Sequence, residues 1–410
     1  YEIYFGDGVV SKKVNDGNIV ILKYVVTNVA EANGAFAFTN SGAINTVTNI
    51  SVTTVEVAAD GANSESVQSI KLSAPLDYAS QGRCVTTNDY KVYVQKLYPN
   101  ATAVQVFGGE NGSFDPSLGV VSTPEYGKVF ISVRNGLGTN LTQIDKSNLV
   151  SDLSKYTVAS ISPVIVDPDF TYILLTCNFK YNSTITTKSK DTIVSEVVQS
   201  ISNYNTTELV KFDAILRHSK LLSIVDNTDP AITSSSIIPR LAKYVVPLLG
   251  EARSYNTYFN NALYNPHAGH NSLDGGILTS TGFHITGNTN ELFFDDDGLG
   301  NLRMYYLTGS TRNYVNESAG TVNYNSGAIA IGNISISTIS LVDGLASTSI
   351  RITVLPRSND IVALRNQILE IDTINTKVTG GVDTIAVGDE GGASQFAASS
   401  STVDATGIGY

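Results

Sequence analysis

Tyr172-Ile173-Leu174-Leu175-Thr176, the helix-spaced set Ile193, Val194, Val197, Val198 and Ile201, and the apolar run near Ser236–Pro247 are the readings that decide the fold. They lie in one stretch, residues 162–247. The first run follows Pro163 and Pro168, and its aromatic and β-branched side chains suit a buried strand. Ser189 or Asp191 can cap the helix that follows, because a short side-chain oxygen there takes up a free first-turn N–H. Its apolar residues recur at three and four, so one stripe is buried. Tyr204-Asn205-Thr206 interrupts the pattern, and Thr206 or Thr207 restarts it with Leu209, Phe212, Ile215, Leu216 and Leu222. The expectation is a strand, two helices and a second strand, the helix pair lying on the sheet. His218 sits beside Arg217 near a helix end, where an exposed or dipole-stabilised role suffices.

The chain has 410 residues, enough for about three domains with their own cores. The formal charge is -11, from 26 basic and 37 acidic residues, and no basic stripe offsets it. Nucleic acid is therefore not an expected partner. Only 15% of residues are charged, and 21 tyrosines stand beside no tryptophan, a surface compatible with extended protein contacts. Cys84 and Cys177 fall in different expected domains and give no disulfide framework. Apolar runs break within about ten residues, too short for a membrane span. The chain opens at Tyr1, without Met and directly in an alternating pattern, and so reads as a fragment.

Before the central stretch, Tyr1, Ile3 and Phe5 lead through Gly6-Asp7-Gly8 to one long expected strand made of Ile19–Leu22 with Tyr24–Val26. Short strands are expected over 36–57. A helix opening at Asn63-Ser64-Glu65 would carry Val67, Ile70 and Leu72 and end at Pro75. Thr86 or Thr87 caps a second, with Asp89 in its first turn and Val92, Tyr93 and Leu97 on its buried side. Ala103–Phe107 returns as a strand, and Pro116, Gly119 and Pro124 suggest a boundary between 112 and 124. Lys128–Arg134 is a strand and Gln143–Leu153 a helix. After Pro247 the pattern is almost wholly β, with strands at 254–263, 275–286, 291–294, 302–307, 320–324, 328–331, 334–341 and 349–355. Residues 360–372 are read as strand or mixed structure, although Ile361, Leu364, Ile368 and Ile371 also have helical spacing. Beyond Gly388 the tail is small and polar, with Ile408 and Tyr410 able to pin its end.

The fold class that follows is α+β, multidomain and β-rich. Residues 1–120 form a mixed domain, 121–250 a β-α-α-β domain of the ferredoxin-like-sandwich type, and 251–410 a mainly β association domain with an extended tail. Linkers near 112–125 and 247–254 would let compact blocks rotate.

Candidate sites are few. His267 and His270, with Asp274 nearby and His284 further on, have metal-like spacing, but Pro266 and Gly269 deny them a helix to share, and a polar loop is expected. Asp295-Asp296-Asp297-Gly298 resembles the start of a calcium loop, yet Leu299 and Tyr306 stand where ligands are needed, so a tight turn is expected. Adjacent carboxylates there would bind a cation only weakly. Gly6-Asp7-Gly8 and Gly108-Gly109-Glu110-Asn111-Gly112 match no phosphate-binding glycine pattern, and no serine elbow is present. No catalytic, cofactor-binding or metal-binding residue is assigned.

Phe5-Gly6-Asp7-Gly8-Val9, Gly17-Asn18-Ile19-Val20 with Tyr24, and Glu65 through Ala74-Pro75 followed by Arg83, Val85-Thr86 and Asp89-Tyr90 resemble the J-like baseplate proteins of contractile tails. Phe293-Phe294-Asp295-Asp296-Asp297-Gly298 with Asn301-Leu302-Arg303 resembles the baseplate wedge protein of T-even-like contractile-tail phages that is present in two copies per wedge. So do Gly320-Thr321-Val322-Asn323-Tyr324, Pro356-Arg357-Ser358-Asn359-Asp360 and Arg365-Asn366-Gln367-Ile368-Leu369. The resemblance covers nearly the whole chain and lacks that family's N-terminal helical part. It implies a non-enzymatic structural subunit of the virion tail baseplate, assembled in the host cytoplasm, with no cofactor. The implied partners are a second copy as a homodimer, other wedge proteins, and neighbouring wedges in a sixfold ring around the hub that rearranges when the sheath contracts. The alternative is a tail-associated receptor- or carbohydrate-binding module, favoured by tyrosine, asparagine and aspartate around 255–297.

Overall fold

In the computed structural model the described residues cover most of 66–386 and parts of 5–61; residues 112, 116–118, 122–123, 137, 139, 271–276, 343 and 387–410 lie outside them. Two compact units divide at residue 67. In the first, the described residues form a 3-10 turn at Val29–Ala32 and no strand. The long strand expected from Ile19 to Val26 is not formed at Ile19–Ile21: both isoleucines are exposed and no neighbouring strand pairs with them among the described residues. The readings at Tyr1, Ile3, Leu22 and Tyr24, and at Ile408 and Tyr410, fall outside the described residues.

The second unit opens with α1 (Val67–Ser80). This helix runs through Pro75, which therefore does not end it but only removes one backbone donor from the ladder. Helix α2 (Thr87–Leu97) is capped as expected: Thr86 accepts from the Asp89 N–H, and Asp89 accepts from the Thr86 N–H at 2.8 Å. Strand β1 (Ala101–Gly108), the hairpin β2 (Ser113–Asp115) and β3 (Gly119–Val121), β4 (Lys128–Asn135), helix α3 (Gln143–Leu153) and β5 (Ser162–Val166) follow. β4 lies between antiparallel β1 and parallel β5. Tyr90, Tyr93 and Val94 of α2 and Leu149 and Leu153 of α3 close one core over this sheet with Val106, Ile131 and Val133.

The central unit begins with β6 (Asp169–Tyr181) and α4 (Lys190–Tyr204), whose cap is Ser189 accepting from the Thr192 N–H at 3.2 Å. A π-helical turn at Asn205–Leu209 ends α4. The second helix is not where its apolar spacing put it. Ile215–Leu216 form β7, and α5 spans His218–Asp226. Strand β8 (Ile232–Val245) returns antiparallel to β6. Alternate residues Ile173, Leu175, Cys177 and Phe179 of β6 meet Ile193, Val197 and Ile201 of α4 and Leu221 and Val225 of α5 in one core. Each such buried aliphatic side chain contributes roughly 1.5–3 kcal/mol.

Eleven further strands complete the described chain: β9 (Ala252–Tyr258), β10 (Leu278–Ser280), β11 (Phe283–Ile285), β12 (Leu292–Asp296), β13 (Asn301–Thr308), β14 (Thr311–Asn323), β15 (Ala328–Ile339), β16 (Ile350–Val354), β17 (Ile361–Val362), β18 (Gln367–Ile371) and β19 (Lys377–Val382). Strands β11 through β15 pair in order, and β15 pairs back with β11, which closes a barrel; β9 adds outside β15. The two strands expected at 328–331 and 334–341 are one, β15, with its register shifted between Ile331 and Ile334. Residues 361–362 and 367–371 are strands with a turn between them, within the strand or mixed structure favoured from sequence and not a helix.

Strand pairing crosses both divisions drawn from the sequence. β1 and β4 lie on either side of residue 120 and share a sheet and a core, so 112–125 is not a linker between cores. The central sheet runs β10-β16-β8-β6-β18, with β19 also on β6, so residues beyond 251 complete the β-α-α-β unit. One buried core runs without a break from Ile173 to Ile371, including the barrel, which leaves 247–254 as a connection over a shared interior. The architecture is mixed α/β and multidomain, with β-rich parts that include a barrel.

Candidate functional site

Asp295, Asp296 and Asp297, expected in a tight turn, divide between two settings. Asp295 and Asp296 end β12 and are 0% exposed, while Asp297 begins the turn into β13. The turn itself needs positive φ at Gly298 (72°) and Gly300 (111°), which glycine adopts without a Cβ clash. Asp297 accepts from the backbone N–H groups of Leu299 (2.8 Å) and Asn301 (3.0 Å) and from Asn301 Nδ2 (2.6 Å). Burial works against its charge, but these donors win and hold the carboxyl below the ordinary range.

Asp295 faces Arg303 directly across the β12–β13 ladder. Its Oδ1 accepts from Arg303 Nε at 2.9 Å, and its Oδ2 accepts from Arg312 Nη1 at 3.0 Å and the Tyr314 hydroxyl at 2.9 Å. The Arg303 guanidinium also lies over the Tyr314 ring at 4.3 Å, and Arg312 over Tyr305 at 4.8 Å. Burial pushes the Asp295 carboxyl up, and the two guanidiniums and the phenol act against that push. Asp296 accepts from the Leu278 N–H at 2.9 Å and the Tyr324 hydroxyl at 2.6 Å, which ties β10 and the end of β14 to β12. Burial, then the adjacent Asp296 charge, drives the Tyr324 phenol far up. The carboxylate oxygens are thus engaged by donors of this chain, and the cluster fastens barrel strands to one another. Arg312 and Tyr314 were not singled out from sequence, and Arg303 and Tyr324 only as part of the resemblance; a turn centred on Gly298-Leu299-Gly300 puts 295 opposite 303, and that register was the available signal.

His267 and His270 meet, but His284 does not join them. His270 Nδ1 lies 3.2 Å from His267 Nε2, their rings edge-on at 4.9 Å, whereas His284 Nδ1 meets the Asn290 carbonyl at 3.1 Å. Asp274 falls outside the described residues. Among the described residues no group of three or more His, Cys, Asp or Glu side chains could hold a metal ion. His218 opens α5, with its Nε2 at 2.8 Å from the Ile237 carbonyl and its N–H donated to Asp360 at 2.9 Å. Gly109 is a close approach: a Cβ there would lie 2.0 Å from the Glu125 carbonyl oxygen. Cys84 and Cys177 are free and buried in separate cores, and burial pushes their thiols up to about 12 and about 11. No helix among the described residues is long and apolar enough to cross a membrane. A depression of about 480 Å³ on the barrel is lined by Asn265, Thr321, Asn323, Asn325 and Arg357 among others.

Two stretches match the models of one family of structural proteins. Residues 86–166 match the baseplate structural protein gp6, C-terminal domain I, and residues 169–243 match its C-terminal domain III. The first range coincides with the α2–β5 core and the second with β6 through β8. Over these two ranges the chain is similar to the C-terminal domains of a gp6-type baseplate structural protein. Among individual proteins it is similar to baseplate wedge protein gp6 of Enterobacteria phage T4, 25% identical over 270 residues, which are 60% of this chain and 38% of that protein. The chain thus spans well under two thirds of that relative's length. A cryo-EM structure of the anti-feeding prophage (AFP) baseplate, 6-fold symmetrised, is 17% identical and covers 44% of this chain and 38% of its own, at a TM-score of 0.32 too low to carry an argument.

Proposed function

We propose that the chain is a non-enzymatic structural subunit of the inner baseplate wedge of a contractile phage tail. The observation that carries this reading is the coincidence of the two gp6-type matches, 86–166 and 169–243, with two separately cored sheet-and-helix units. In the virion it associates with a second copy as a homodimer and with other wedge proteins, and it joins neighbouring wedges into a sixfold ring around the hub. The ring rearranges when the sheath contracts, and the subunit is assembled into it in the host cytoplasm. Nucleic acid and membrane are not partners in this reading.

The physical support is rigidity. A closed barrel leaves no free edges within its ring, and its strands are fastened to one another by Asp295, Asp296 and their donors. The shared core from Ile173 to Ile371 makes the central sheet and barrel one block, so movement belongs at its outer contacts. Residues 251–410 supply the association surface, and the 1–120 segment keeps the J-like role its sequence resembles. Light scattering of the full chain tests self-association: a concentration-dependent dimer is expected, and a strict monomer at high concentration contradicts it.

The amide-lined depression beside Arg357 favours one second reading, a carbohydrate-binding tail module, because convergent Asn and Thr side chains suit hydroxyl groups. Glycan-array binding by the full chain that Asn323→Ala abolishes would establish that reading instead.

A further inference from the structure

Ile173, Leu175, Cys177 and Phe179 of β6 face α4 and α5, so the alternate residues Tyr172, Leu174, Thr176 and Asn178 point to the other side of the central sheet. Thr176, Asn178 and, on β8, Ser236 are exposed on that side, while Tyr172, Leu174 and Ile238 are half-buried. Two charged side chains share this face. Arg240 on β8 stands opposite Leu174, and Glu370 on β18 stands opposite Tyr172, with β6 between them. Both are half-buried, and among the described residues no hydrogen bond or ion pair reaches either side chain. Burial lowers the Arg240 guanidinium from its usual range and pushes the Glu370 carboxyl up, where Arg134 acts against the rise and Asp372 adds to it. Strand spacing sets the two roughly 12 Å apart, too far to pair within one chain.

We infer that this face is a contact between two copies of the chain, related by a two-fold axis crossing β6 near Tyr172 and Leu174, with Arg240 of each copy donating to Glu370 of the partner subunit. The contact rests on the homodimer reading above and places it on the sheet face to which β18, from residues 251–410, contributes Glu370. The occupant follows from charge. A face that carries one unpaired cation and one unpaired anion on either side of a central strand is complementary to itself, and a two-fold axis brings each to the other in both places at once. The guanidinium fork suits a carboxylate, and each pair relieves two half-buried charges together. Between them lies an apolar centre of Tyr172 and Leu174, where Tyr172 is held edge-on to Tyr244 at 5.1 Å, and around it the uncharged rim of Thr176, Asn178 and Ser236. Arginine and tyrosine at the middle of a polar-rimmed patch are the residues that carry protein contacts.

Analytical ultracentrifugation of the full chain over a concentration series tests it. The parent should dimerise. Arg240→Glu and Glu370→Arg should each weaken the dimer at least about thirtyfold, because each sets like charges against one another at both ends of the contact. An equimolar mixture of the two variants should dimerise as the parent does, since a mixed dimer holds one unaltered pair and one reversed pair. That recovery also shows that both variants are folded. A parent dimer that neither variant weakens, or a mixture no tighter than either variant alone, would overturn the inference and leave the homodimer reading standing. A parent that stays monomeric at high concentration would overturn both and leave the face to a different protein.

Discussion

Replacing Asp295 by Asn removes one charge from a site that is 0% exposed and leaves Arg303, 8% exposed, facing a neutral amide. The new NH₂ group can only donate, and its neighbours within 3.3 Å are the donors Arg303 Nε and Nη2, Arg312 Nη1 and Tyr314 Oη. Breaking one side of a buried pair costs about 3–5 kcal/mol, because the surviving charge stays buried without compensation. Arg312 is 29% exposed and can turn to water, so most of the cost falls on Arg303. For a block of this size that is a fall in Tm on the order of 10 °C. Scanning calorimetry and urea unfolding of Asp295→Asn should both show it. The double variant Asp295→Leu, Arg303→Met should recover part of the loss, since matched apolar groups need no donors. A single variant within about 1 kcal/mol of the parent, or a double variant less stable than the single, would refute the claim that this network fastens the barrel.

Three further outcomes follow from single contacts. Asp360 caps α5 by accepting the His218 N–H and is held below the ordinary carboxylate range, first by that bond and then by Arg217; Asp360→Asn should cost about 1 kcal/mol. Because its folded pKa is depressed, that contribution is fully present above the unfolded value of about 3.9 and is lost as pH falls through the folded one, so parent and variant melting curves should converge in acid. Asn205→Ala deletes the buried acceptor of the Ile371 N–H (2.8 Å) and should lower stability by about 1–3 kcal/mol in urea titration. Gly320→Ala places a Cβ 2.0 Å from the Ala330 carbonyl oxygen, and the β14–β15 pair should open, with a loss of about 1–3 kcal/mol and faster amide exchange at Ala330 and Ile331.

What could be read from the chain was what its neighbours in sequence determine. Helices α2, α3 and α4 carry their caps, Thr86, Thr142 and Ser189, within three residues of the N–H they serve, and their positions were legible to within a residue or two. The position of α5 was not, because its cap comes from Asp360, 142 residues away, and because Ile215–Leu216 leave the helical stripe to pair with Ile361–Val362. The order of the central sheet was hidden for the same reason: β16, β18 and β19 join β6 and β8 through backbone ladders that no local pattern specifies. Asp295 and Asp296 were read as part of a tight turn, because the expected strand ended at Phe294 and glycines follow at 298 and 300. Burial reversed that, and only the hairpin register could have signalled Arg303.

The most direct measurement of the central claim is chemical crosslinking of the full chain after co-purification with the other tail structural proteins. The structural reading predicts crosslinks between two copies of the chain and from the chain to other baseplate proteins, with both sets outside the shared Ile173–Ile371 core. A chain that purifies alone, yields no intermolecular crosslink in the presence of those proteins and turns over a polysaccharide would contradict it.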